Sequence, residues 1–113
     1  MEEGKKFDNN KLPLGIVITQ QFPRALKAIA EVSLYGHEKY ELDNDWDNFS
    51  RVENAEERYS NAMFRHYFEK NSNDLESFKS HLSHAAWNLL AELEIKLRKL
   101  ENDNNKPGTT KNN

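Results

Sequence analysis

Cysteine is absent from the 113-residue chain. Disulfide staples, thiolate nucleophiles and cysteine-bound structural zinc are thereby excluded together. No apolar run nears the roughly 18 residues of a membrane-spanning helix. Met1-Glu2-Glu3-Gly4 lacks the basic head of a secretory signal, so a cytosolic setting is expected, with no membrane partner. Excess positive charge is missing too. The formal net charge is −3, and no global basic field attracts duplex DNA or anionic lipid. Any anionic ligand must be gripped by local basic groups. Apolar residues are scarce at 36%, against 31% charged. A chain this short buries only about two-thirds of its unfolded surface. A core this thin gains from a second copy, so a homo-dimer or higher homo-oligomer is expected.

What is present reads as one all-α domain over residues 1–101. Gly4 to Pro13 reads as loop, and Leu14-Gly15-Ile16-Val17-Ile18 as a short extended N-terminal segment. Three helices follow. Pro23 suits a first helical position, where its missing N–H costs nothing. From there Leu26, Ile29, Ala30 and Val32 recur at helical spacing towards Tyr40. Asn54 with Glu57 matches a capping box, and Tyr59, Ala62, Met63, His66 and Tyr67 continue the period. Asn73 with Glu76 repeats that signature. It is followed by Leu75, Phe78, Leu82, Ala85, Leu89, Leu93, Leu97 and Leu100 with no Gly or Pro between. That predicts a long C-terminal helix to about Glu101, a rod of roughly 40 Å. Its second half is apolar over more than one seam, which points to burial against a partner. Asn102 to Asn113 holds no apolar anchor and is expected to be disordered.

Four constellations could carry chemistry. Helical pyrophosphohydrolases hold Mg²⁺ with several carboxylates on adjoining helix faces, because a hard cation needs several oxygens. Here Glu56 and Glu57 are followed by Ser60 where a third acid is needed. The next helix offers His81-Leu82-Ser83-His84 with no acid. An acidic first turn favoured by the helix dipole is the plainer reading. Histidines His66, His81 and His84 could gather around zinc, but imidazoles bonded between packed helices, or His84 facing a ligand phosphate, fit better. Asp43-x-Asp45-x-Asp47 opens like a calcium loop, yet Asn48 and Asn54 stand where that loop needs Gly and Glu. Trp46 and Phe49 are expected to clip this loop onto the helices, leaving its acids in water.

The fourth constellation recognises anions and bases. Arg24 opens a helix, Arg58 and Arg65 stand seven apart on one face, and Arg98 lies along the last helix. Guanidinium forks suit phosphate without any metal. Phe78 could stack on a base, with a core position as the alternative. Asn88 could read a base edge, since an amide inside an apolar helix needs a partner.

Several segments occur together in one order: Gly4-Lys5-Lys6-Phe7-Asp8 with Lys11, Tyr35-Gly36-His37-Glu38-Lys39-Tyr40 leading to Trp46, Arg65-His66, and His81-Leu82-Ser83-His84-Ala85-Ala86-Trp87-Asn88. They resemble the phage and bacterial family of dATP/dGTP diphosphohydrolase N-terminal domains. The chain is also similar to the phage anti-Thoeris sponges that sequester glycocyclic ADP-ribose. The sponge resemblance implies a small helical oligomer in infected bacterial cytosol, holding a cyclic ADP-ribose-type or cyclic oligonucleotide signal between protomers and releasing it intact. It implies ligand contacts at Arg24, Phe78 and Asn88, with no catalytic residue, cofactor or metal. The enzyme resemblance implies metal-dependent release of pyrophosphate from dATP or dGTP, through Glu56 and Glu57 with Glu92 or the histidines. A third reading is a helical module that inhibits a protein partner through its long last helix.

Overall fold

The computed structural model describes residues 11–105. The Gly4-to-Asp8 segment and the tail beyond residue 105 lie outside the described residues. All regular structure in the described part is helical, as expected, but its first element is not extended. Leu14–Ile16 forms a short helix, α1, that runs directly into a π-helical turn at Val17–Gln21. The β-branched run Ile16 to Thr19 favours a strand, but among the described residues there is no strand to pair with it. Local bonds satisfy the backbone instead: Val17 N–H donates to Pro13 O at 3.0 Å, and Phe22 N–H to Val17 O at 2.9 Å.

Helix α2 spans Pro23–Lys39, with Pro23 in its first turn as expected. A loop and a 3₁₀ turn at Asn48–Arg51 lead to α3, Ala55–Phe68. Helix α4, His81–Asn105, begins seven residues later than the Asn73 signature predicts and runs past Glu101 into the expected tail. The capping boxes do not form. Asn54 is left-handed at φ 55° and makes no side-chain cap. Glu76 instead meets Lys39 at 3.0 Å, pinning the α3–α4 connection to the end of α2. The true start of α4 is Ser80, whose Oγ accepts the Ser83 N–H at 3.0 Å.

Helix α4 is the shared support. Helices α2 and α3 each pack on it and not on one another. Trp87 sits at the junction. Its indole N–H donates to Ser33 Oγ on α2 at 2.7 Å, and its ring meets the edges of Tyr59 and Phe49 at 5.5 and 6.2 Å. The buried apolar residues are few and mostly small: Val32, Ala55, Ala85, Ala91 and Ile95. Alanines on α4 let neighbouring backbones approach closely, and dispersion across many small contacts replaces a few large ones. Trp46 clips the 40s loop as expected, stacking on His37 at 3.8 Å, while the Tyr59 hydroxyl donates to Phe49 O at 2.8 Å.

Candidate functional site

The connection between α3 and α4, residues 69–80, is a tight turn built by its own polar groups. Asp74 N–H donates to Lys79 O and Phe78 N–H to Asp74 O, both at 2.8 Å. The Asp74 carboxylate accepts the Ser77 N–H at 2.8 Å. Closing the turn forces Phe78 to φ 62°, a conformation that costs a bulky side chain about 1–2 kcal/mol. Its ring is 78% exposed. No burial offsets that cost.

Ser77, the neighbour of Phe78, turns inward. Its hydroxyl lies 2.7 Å from His84 Nε2 in a buried pair. The His84 ring stacks on His66 of α3 at 4.6 Å and meets the edge of Tyr35 of α2 at 6.2 Å. His66 Nδ1 is in turn 2.8 Å from His81 Nδ1. Such a bond needs at least one of the two rings neutral. Burial pushes His84 below the ordinary histidine range. Burial also lowers His66, and the neighbouring His84 and His81 add to that. These contacts make the imidazoles a hydrogen-bonded strut between α3 and α4, in which burial disfavours charge on His66 and His84.

The residues expected to bind a ligand divide sharply. Arg24, Arg58, Arg65 and Phe78 are exposed. Arg65, beside His66, and Phe78, three residues before His81, stand at the same end of the α3–α4 hairpin. Arg58 shares the Arg65 face two turns away. Arg24 lies in the first turn of α2, whose backbone does not come close to that of α3. Phe78 stands in the connection before α4, not on a helix. The remaining candidates are engaged within the chain. His84 is buried and engaged by Ser77, so it faces no solvent anion. Asn88 is buried too, and its amide donates to His84 O one turn back at 2.8 Å. The helix itself supplies the partner that its buried position required. Arg98 is occupied by Glu94 at 2.7 Å and Asp47 at 2.9 Å, with Phe49 under its guanidinium. Asp47 and Asp45 are thus not left to water. Arg51 pairs with Asp45, and the Arg98 bond holds the Asp47 carboxyl below the usual range.

A divalent cation, which the enzyme reading implies, does not fit the residues present. Glu56 is bound by Lys99 at 2.5 Å and Lys96 at 3.3 Å, and Lys96 also reaches Glu92. The Lys99 hydrogen bond first, with Lys96 behind it, keeps the Glu56 carboxyl low. Two ammonium groups occupy the oxygens that a cation would need. Among the described residues no three His, Asp or Glu side chains are placed to share one ion. An open groove of about 390 Å³ does lie beside Glu56, Glu57, Asn54, Ile95 and Lys99. Its paired carboxylates disfavour a phosphate, and none of the expected ligand residues lines it.

Two residues that organise this end escaped the sequence reading. Ser77 fixes His84, and Asp74 caps the turn that presents Phe78. The signal was there in Asp74-x-x-Ser77, a local side-chain-to-backbone pattern typical of turns. It was masked by Leu75, Phe78 and Leu82, which happen to keep helical spacing.

The family described as dATP/dGTP diphosphohydrolase, N-terminal, matches residues 1–105. No curated protein and no solved structure matches the chain. The family match covers α1 to α4, the imidazole strut and the turn that carries Phe78, and on that extent the protein belongs to the dATP/dGTP diphosphohydrolase N-terminal domain family.

Proposed function

We propose that this protein binds a purine nucleotide and holds it without cleaving it, as a sponge for a cyclic adenine-nucleotide immune signal of the glycocyclic ADP-ribose type in phage counter-defence. The observation that carries the reading is Phe78. A bare aromatic ring is held on strained left-handed backbone by a turn whose preceding residue, Ser77, is locked into the body. Strain retained without a packing gain is characteristic of ligand sites. An exposed ring of this kind offers a stacking face to a base. The exposed guanidinium of Arg65 stands at the same end and offers a fork to phosphate. The family's name concerns purine deoxynucleotides, which supports a purine ligand. Ion pairing of Glu56 with two lysines supports retention over hydrolysis.

The test exposes the protein to glycocyclic ADP-ribose, dATP and dGTP in turn with Mg²⁺ or Mn²⁺, then releases the ligand by heating and identifies it. A sponge raises its melting temperature with one of these ligands and returns it intact. Phe78→Gly should lose that ligand-dependent shift, while its ligand-free melting temperature does not fall, because glycine accepts φ 62° freely. Steady production of monophosphate and pyrophosphate would overturn the proposal. It would instead establish the second reading, metal-dependent diphosphohydrolysis, which the family name favours.

A further inference from the structure

Among the described residues, two exposed apolar surfaces stand apart from the aromatic end at Phe64, Phe68 and Phe78. The first is an arm, residues 12–22, where Leu12, Leu14, Ile16, Ile18 and Phe22 are 48–91% exposed. The arm is ordered by its own helical hydrogen bonds, yet it packs on no helix except α2, to which it is joined. The second is the outer side of α4. Leu82, Leu89, Leu90, Leu93, Leu97 and Leu100 fall within an arc of about 100° at 3.6 residues per turn. Each is about half exposed, between 43% and 58%. The buried residues His84, Asn88, Ala91 and Ile95 point the opposite way.

We propose that two copies exchange arms, residues 12–22 of each lying on the leucine stripe of the other's α4. At helical spacing Leu14, Ile18 and Phe22 share one side of the arm and Ile16 lies on the other. That side presents on the order of 300 Å² of mostly apolar surface and the stripe about 500 Å², the size that marks an interaction site. A reciprocal exchange covers one side of the arm and most of the stripe on both copies at once and closes the pair, as a two-fold dimer must. Each copy then contributes roughly 700 Å² to the contact, close to the ~800 Å² per partner of a standard stable interface. An anionic membrane is a poorer occupant. The stripe is bordered by Glu94 and Glu101 on one side and on the other by Lys96, already paired with Glu56, and the chain carries net charge −3. The inference is independent of any nucleotide.

Because the chain has no native cysteine, crosslinking reads the contact directly. Ile18→Cys and Leu93→Cys are made as separate single variants carrying tags of different size. Each substitutes a half-exposed side chain, so the fold is retained. Mixed and oxidised, they should yield mainly the mixed disulfide dimer, in excess of either self-linked dimer. The double variant Leu14→Asp with Ile18→Asp should keep its helical circular dichroism but sediment as a monomer where the unaltered chain sediments as a dimer. The proposal is overturned if the unaltered chain is monomeric up to its solubility limit. It is equally overturned if Leu93→Cys links chiefly to itself, or if Ile18→Cys links to a Phe78→Cys variant in preference to Leu93→Cys.

Discussion

Along one helix, α4, the inner side carries Ala85, Ala91 and Ile95 with two polar groups, His84 and Asn88, all buried. The outer side carries six leucines, all about half exposed. The usual allocation, large apolar residues inside and small or polar ones outside, is inverted within a single element. Size explains the inner side. α2 and α3 pack on α4 over Ala85 and Ala91 with Trp87 at their junction, and the polar groups there are satisfied by Ser77 and by the helix backbone. The outer side has no such explanation inside one chain. Under the proposed arm exchange, its leucines are the surface that a second copy covers.

That contrast can be broken by substitution on each side. Ile95→Ala removes a buried branched side chain and should cost about 2–4 kcal/mol. Leu93→Ala on the outer side should cost under about 0.5 kcal/mol in chain diluted until monomeric. Equal losses from both, in thermal or urea melts of the monomer, would erase the distinction. Ser77→Ala tests the polar part of the inner side. It leaves buried His84 Nε2 without its hydroxyl, at a cost of about 1–3 kcal/mol.

Acid probes the same strut. His66 and His84 have folded-state values below the ordinary 6.5, so the unfolded chain takes up protons first as pH falls. The stability they contribute is complete above pH 6.5 and drains as pH drops through that value towards their folded ones. The melting temperature should therefore fall between pH 7.5 and 5.5, before the carboxylate pairs of Asp47 and Glu56 are touched. His66→Gln should flatten that fall. An unchanged melting temperature over this interval would show that the imidazole stack is solvated. The smallest effect belongs to the surface. Glu56→Gln, which weakens the exposed pairs with Lys96 and Lys99, should shift melting hardly at all, as exposed ion pairs contribute little.

Much of this architecture was legible beforehand. Pro23 marks the start of α2. The leucine period of α4, and its excess width over one seam, already pointed to a helix with two faces to bury. Other readings failed for a shared reason. Asn54 and Asn73 looked like caps because cap preferences concern residue type, while the backbone at Asn54 is left-handed. Leu75 and Phe78 kept helical spacing across a turn, since side-chain periodicity is blind to a single positive φ. The run Leu14 to Ile18 carried strand propensity, which is realised only where another strand offers its edge.

The sequence by itself determined the all-helical class, the cysteine-free chemistry, the shortage of carboxylates for a metal and the surplus of leucine on α4, because composition and period are local properties. Only the tertiary structure decided which face of α4 turns inward, that Asn88 and His84 are buried, that Arg98 is already paired, and that Phe78 stands bare on a strained turn. Those facts depend on which groups meet across long separations in the chain, and pairing energies between distant residues leave no periodic trace in the order of the amino acids.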